Sequence, residues 1–253
     1  MKNRILKRNG MAIFATAVAG LLVTAGDGYS NDRRFVYSYE AQPFVPGQFE
    51  METWLTWKDE NGKGDRYDFR HEFEHAFTER FQLGFYLPSW RYTSGDGAEF
   101  KSVDVEAIYN LTDPNESWLG SSLYGEVKVG DHFLKLEGKG LFQKNWGQVV
   151  AAYNAVVEAE WEGSGLSEYK GELKQTLGLS YMTSPKFAFG AEGYQKIDLP
   201  GWSWSDKKAS AVYLGPNASV RLGRNWLTVA GLWEVTSTSA ADFQLRAIWG
   251  INF

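Results

Sequence analysis

The sequence predicts an all-β chain, an antiparallel up-and-down transmembrane β-barrel of about twelve strands with tight periplasmic turns and longer outer loops. Three observations predict it. Beyond residue 46 the apolar residues recur at every second position, the period of a strand with two unlike faces. The alternate face is charged rather than merely hydrophilic. The alternating stretches run for about 9 to 14 residues, against five or six in soluble strands, and strands of that length cross a bilayer when tilted. A soluble sandwich also alternates; the even strand count and two unlike classes of turn favour the barrel. A closed barrel leaves no backbone edge unpaired in lipid.

The N-terminus sets the compartment. Lys2, Arg4, Lys7 and Arg8 precede an apolar stretch from Met11 to about Val23, and Val23-Thr24-Ala25 has the small-x-small form of a cleavage site. This reads as a secretory signal peptide over 1–25, and the run is short for the competing reading, a membrane anchor. Residues 26–47 form an N-terminal periplasmic segment that can reach into the barrel, and 48–253 form the barrel itself. Aromatics make up 16% of the 253 residues, with 27 Gly and only 7 Pro, a mix that suits strands and turns. The net charge of −5 carries no nucleic-acid footprint. Cys is absent, so an exported chain must hold together without disulfides.

The strands are placed at 48–58, 65–77, 80–91, 101–111, 118–129, 133–143, 148–161, 169–182, 187–197, 209–221, 226–235 and 242–253. The third and sixth are the least regular. Every second connection is short, polar and ends on an aromatic: "TERF", "TDPNESW", "KNW", "SPKF" and "LGRNW". Their aromatics, Phe81, Trp118, Trp146, Phe187 and Trp226, make a periplasmic collar. The alternate connections, such as "TSGDGAEF", "EGSGLSE" and "DLPGWSWSD", are looser and richer in Gly and Ser.

Parity sends Glu50, Glu52, Arg66, Asp68, Arg70, Glu72, Glu74, Asp104, Glu106, Glu126, Lys128, Lys135, Glu137, Lys139, Glu158, Glu160, Lys170, Glu172, Lys174, Glu192, Arg221 and Arg246 to the lumen. A hairpin centred near Gly165 sets Glu160 opposite Lys170 and Glu158 opposite Glu172. The second pair repels, so Lys174 and Lys139 are the expected partners of Glu158. Such a face is either a hydrated ion-pair lattice bracing the wall or the lining of a narrow pore. Twelve strands lie between eight, where side chains fill the interior, and sixteen, where a channel opens. No loop is long enough to be a large plug, but the segment 26–45, with Arg33, Arg34 and several aromatics, can fold inward.

One stretch spells a different chemistry. "FRHEFEHAF" contains His71-Glu72-x-x-His75, the H-E-x-x-H pattern that binds zinc when a helix brings both His to one face. In a strand the two rings sit about 13 Å apart, at roughly 3.3 Å per residue, beyond the reach of one ion with bonds near 2 Å. Glu72 then points to the opposite side. The alternation through Phe69, Phe73 and Phe77 selects the strand, so no metal, cofactor or catalytic residue is expected. That register puts His71 and His75 on the lipid side, where a bulge or a covering segment is needed to shelter them. A His-x-Ser pairing of the outer-membrane phospholipase kind is missing, since Phe73, Phe77 and Leu134 stand two places after the three His. For the acid–His pairing of omptin-type outer-membrane proteases, His132 beside Asp131 is the only candidate, and it lies in a tight turn. Trp202 and Trp204 in "GWSWSDKK" either stack on a sugar or anchor at lipid headgroups.

The C-terminal "LRAIWGINF", with Trp249, Ile251 and a terminal Phe253, resembles the assembly signal of Gram-negative outer-membrane barrels, which the barrel-insertion machinery reads. "YSYEAQPFVPGQFEMETWLTW", "RHEFEHAFTERFQLGFYLP" and "LEGKGLFQKNWG" resemble an uncharacterised bacterial outer-membrane family known only as a domain of unknown function. That resemblance implies a fold and a place, and it has no catalytic residues to transfer. The expected protein is a porin-like passive channel or solute-binding barrel of the outer membrane for small polar or charged solutes. A structural, envelope-integrity barrel with a closed lumen is the alternative, and a barrel hydrolase a third. Its expected partners are outer-membrane lipid, the insertion machinery and small solutes, not nucleic acid.

Overall fold

A computed structural model of the chain describes residues 33–60, 64–238 and 241–253. The signal peptide and cleavage site expected in 1–25 lie outside the described residues. Each alternating stretch becomes a strand: β1 (Phe49–Glu60), β2 (Gly64–Ala76), β3 (Phe81–Thr93), β4 (Gly97–Thr112), β5 (Gly120–Gly130), β6 (Phe133–Trp146), β7 (Val149–Glu162), β8 (Glu168–Ser184), β9 (Phe187–Pro200), β10 (Ala211–Leu222), β11 (Asn225–Glu234) and β12 (Ala241–Asn252). Each pairs antiparallel with the next, and β12 returns to β1, so the twelve strands close into a barrel. The hydrogen-bonded ladders run further than the alternation alone suggested. β4 starts at Gly97 and β9 ends at Pro200, and both use up residues read as loop.

Burial follows the same period. On β4, Val103 and Val105 are exposed on the outer face while Ser102, Asp104 and Glu106 are buried inside. On β8, Leu177 and Leu179 point out and Thr176 and Ser180 point in. The irregularity expected in the third strand is present as register shifts around Ser89. The sixth strand differs from expectation, since β6 pairs without interruption on both sides. Its Gly138 and Gly140 dilute the alternation in the sequence without breaking the ladder, because the backbone makes the hydrogen bonds.

The H-E-x-x-H stretch lies inside β2, with Glu72 fully buried in the lumen. Both His stay on the outer face, each with local shelter. The His71 Nδ1 is 3.0 Å from the Thr53 hydroxyl of β1. The His75 ring packs edge-on to Phe77 at 4.6 Å, with Phe49 on its other side at 6.3 Å.

At the closing seam, the Phe253 N–H donates to the Phe49 carbonyl at 2.9 Å, and the two rings lie 6.0 Å apart. Trp249, Ile251 and Phe253 share the outer face, where Trp249 Nε1 donates to Asn225 at 3.2 Å. The collar needs one correction. Phe81, Trp118, Trp146 and Phe187 are outward or at the turns, with Trp118 80% exposed, but Trp226 is 1% exposed. Trp226 shares parity with the buried Thr228 and Ala230, faces the lumen opposite Gly250, and donates its indole N–H to Glu50. The two-residue turn at Gly223 and Arg224 fixes that parity, and the shared aromatic position in the turn pattern did not reveal it.

Candidate functional site

The interior at the tight-turn end is filled by the chain's own N-terminal segment. Residues 33–47 enter the lumen in a form with no regular secondary structure before turning into β1. A buried backbone outside a sheet must still satisfy its N–H and C=O groups. Here the wall does so with side chains. Glu192 of β9 accepts from the N–H groups of Val36, Tyr37 and Ser38 at 3.0, 2.8 and 3.3 Å. Asn154 of β7 clasps Tyr39, accepting from its N–H at 2.7 Å and donating to its carbonyl at 2.9 Å. Asn217 donates to the Arg34 carbonyl at 2.9 Å, Asn110 to that of Gln42 at 2.8 Å, and Thr228 to that of Arg33.

Apolar contacts complete the fit. Phe35, 1% exposed, lies flat against β8 at Gly178, where a Cβ would come within 2.5 Å of its ring. Val36, Tyr39, Ala41 and Phe44 join Trp54, Tyr124, Tyr213 and Ile248 in one buried cluster. Burial pushes the Tyr37 phenol up to about 12, which keeps it a donor. A search for charges named Glu192 among the gripping residues and passed over the neutral ones, Asn154, Asn217, Asn110 and Thr228. Their signal in the sequence is an Asn at an inward position of a strand, as in "AAYNAVV" or "GPNASV", because Asn is depleted in strands.

The charged lining is ordered by register. Taken across paired strands, Glu50, Glu74, Gly84, Glu106, Glu126, Glu137, Glu158, Glu172 and Asp198 stand opposite one another in succession from β1 to β9. Strands of a barrel tilt, so this row climbs from the tight-turn end toward the loop end. Directly opposed like charges destabilise a sheet unless they are neutralised. On β5 to β9 lysines two positions away do so. Lys128 lies 2.8 Å from Glu126, Lys139 lies 2.7 Å from Glu137, and Lys196 lies 3.4 Å from both Glu172 and Asp198. Glu158 is paired with Lys174 at 3.1 Å and with Lys135. The expected partner Lys139 goes to Glu137 instead, because Lys135 stands diagonal to Glu158 across the β6–β7 ladder.

Above the N-terminal segment the lumen opens as a vestibule toward the longer loops, in two adjoining spaces of about 580 and 530 Å³. Basic side chains outnumber acidic ones in both. Asp68 alone receives Arg91 at 2.6 Å, Arg66 at 3.2 Å and Lys58 at 3.9 Å, although Arg66 also reaches Glu60 at 2.6 Å. Arg70 bridges Asp104 and Glu126 at 2.9 and 2.7 Å. Arg246 lies at the floor, 4.2 Å over the Tyr37 ring, and donates to the Thr56 hydroxyl at 2.8 Å and the Val36 carbonyl at 3.2 Å. Among the described residues no carboxylate comes within ion-pairing distance of Arg246.

The other sequence candidates lie apart. Glu160 and Lys170 face each other near the loop rim, and Arg221 sits near the tight-turn end on β10. His132 and Asp131, 3.6 Å apart and largely exposed, form the tip of the β5–β6 hairpin, where His132 has φ 51°. Trp202 and Trp204 are exposed on the β9–β10 loop, with Lys207 4.3 Å over the Trp204 ring.

The barrel is similar to solved structures. An outer membrane channel from Pseudomonas putida F1 superposes with a TM-score of 0.63 at 12% identity, covering 87% of this chain and 100% of that one. The NanC porin gives 0.58 at 6% identity, covering 79% and 98%. The β domain of the Bordetella autotransporter BrkA gives 0.50 at 13%, covering 83% and 100%. At these identities the likeness is one of fold. No curated protein matches the sequence. The model of a family of unknown function, DUF6662, matches residues 28–243, and the chain belongs to that family.

Proposed function

We propose that the protein is an outer-membrane barrel of a Gram-negative bacterium, a porin-like channel or solute-binding barrel whose loop-side vestibule takes small anionic solutes. The apolar outer face meets outer-membrane lipid, the tight-turn end faces the periplasm, and the C-terminal strand is the segment read by the insertion machinery. The observation that carries this reading is the excess of cationic side chains around the vestibule, with Arg246 at its floor and no carboxylate among the described residues within ion-pairing distance of it. A water-filled cleft lined by one sign of charge concentrates ions of the other. Passage to the periplasm requires residues 33–47 to leave the lumen. The many hydrogen bonds holding them favour a second reading, a structural barrel kept shut.

Planar-bilayer recording separates the two. Removal of 26–47 behind an intact signal peptide is expected to convert a quiet protein into one with discrete conductance steps. Under a salt gradient the reversal potential is expected to show anion preference, reduced by Arg246→Gln with Lys58→Gln. Silence from the shortened, folded protein would leave the closed barrel as the better account.

A further inference from the structure

The first half of the carboxylate row holds a separate site. Carboxylate oxygens of Glu52, Glu72 and Glu74 all lie within 4.8 Å of one another, and each residue is at most 5% exposed. Glu72 is fully buried and neither of its oxygens has a hydrogen-bond partner. Beside it, Gln82 hydrogen-bonds Glu74 and leaves its own carbonyl oxygen buried without a partner. Glu106 accepts from Tyr86 and Tyr124 through one oxygen, at 2.7 Å each, and its other oxygen is unpartnered. Arg33 reaches Glu52 at 3.4 Å, and among the described residues no Lys or Arg pairs with Glu72 or Glu74. Ionised oxygens removed from water require a counter-charge.

The backbone makes room for this crowding. A Cβ at Gly84 would lie 2.4 Å from a Glu72 oxygen and 2.6 Å from the Glu106 side chain. We propose that Glu52, Glu72 and Glu74 bind a hard divalent cation such as calcium, with Gln82 and Glu106 as neighbouring oxygen donors. The donors are all oxygen, which excludes a zinc-type site and suits calcium or magnesium. Oxygens that all lie within 4.8 Å of one another can close on one such ion. The bound cation supplies the charge that Arg33 leaves unmet and ties β1 to β2 beneath the N-terminal segment.

Terbium(III), a luminescent substitute for calcium, tests this, because the Trp54 indole donates to Glu52 at 2.8 Å and can sensitise an ion bound there. Full-length protein is refolded in detergent without lipopolysaccharide, which binds calcium itself. Saturable terbium emission on tryptophan excitation is expected, displaced by calcium. Glu72→Gln is expected to weaken it at least tenfold, and Glu99→Gln, on the exposed β3–β4 rim, to leave it unchanged. Trp54→Phe should weaken the emission and retain the calcium-dependent rise in Tm. Absent emission in the wild type or full-strength emission in Glu72→Gln overturns the site. If Glu72→Gln fails to reach the folded, heat-modifiable form, Glu74→Gln carries the same expectation.

Discussion

The wall from β5 to β9 and the wall from β1 to β4 carry the same row of carboxylates and solve it differently. On β5 to β9 every acidic residue of the row has a lysine on its own or an adjacent strand, so the ladder is neutral within itself. On β1 to β4 the positions two residues from the row on the loop side hold Glu52, Glu72, Tyr86 and Asp104. Their counter-charge comes from elsewhere: Arg33 of the inserted segment, Arg70 at the upper edge, and the cation proposed at Glu72. One side is a self-sufficient brace, and the other is a socket that depends on what fills it. The N-terminal segment is therefore both a stopper and part of the electrostatic structure of the wall it touches.

The largest effect is expected where the lattice is complete. Glu158 is 3% exposed and shared by Lys135 and Lys174. Glu158→Gln leaves Lys135 and Lys174 only their longer contacts to Glu160 and Glu172, at 3.7 Å each, and breaking one side of a buried pair costs about 3–5 kcal/mol. The lysines here are partly open to the vestibule, so a loss of about 2 kcal/mol is expected, read as a lower urea midpoint for unfolding from lipid vesicles. A midpoint within error of wild type would show the lysine ladder to be idle. Next comes the socket's own cation. Arg33→Gln removes the guanidinium that lies 3.9 Å from the centre of the Tyr39 ring and pairs with Glu52. About 1–2 kcal/mol is expected from the lost ion pair and cation–π contact. In a Glu52→Gln background the same substitution should cost less, since contacting groups are not additive. Equal costs in both backgrounds would detach Arg33 from the acidic wall.

The two regions also differ in how far the sequence disclosed them. Alternation named the inward carboxylates on both sides, because a period of two is a local property of a strand. It also gave the pairing of Glu158 with Glu172 and of Glu160 with Lys170, since a hairpin of known centre fixes its own register. The continuous row could not be read, because it depends on the stagger of nine strands accumulated around the barrel. The socket was hidden for a second reason. Its filling comes from residues 33–47, which have no strand period, and beside Glu192 and Arg246 its grips are neutral: Asn154, Asn217, Asn110 and Thr228. Trp226 shows the limit from the other side. A turn pattern placed it on the collar, and one residue of parity moved it into the lumen.

The smallest effect is expected at the least satisfied residue, and it has the opposite sign. In lysine-rich surroundings a Glu→Gln change removes a partner, but at Glu72 it replaces a carboxyl group that no hydrogen bond supports. Glutamine keeps the shape and adds two N–H donors within reach of Glu52 and Glu74, whose oxygens lie inside 4.8 Å. With divalent cations chelated, Glu72→Gln is therefore expected to leave the urea midpoint unchanged or raise it by up to about 1 kcal/mol, the value of one net hydrogen bond. With calcium present the order should reverse, because the wild type gains binding energy that the variant lacks. A clear loss of stability in chelator would mean that Glu72 is held in its charged form by the wall alone, and the division between brace and socket would fall.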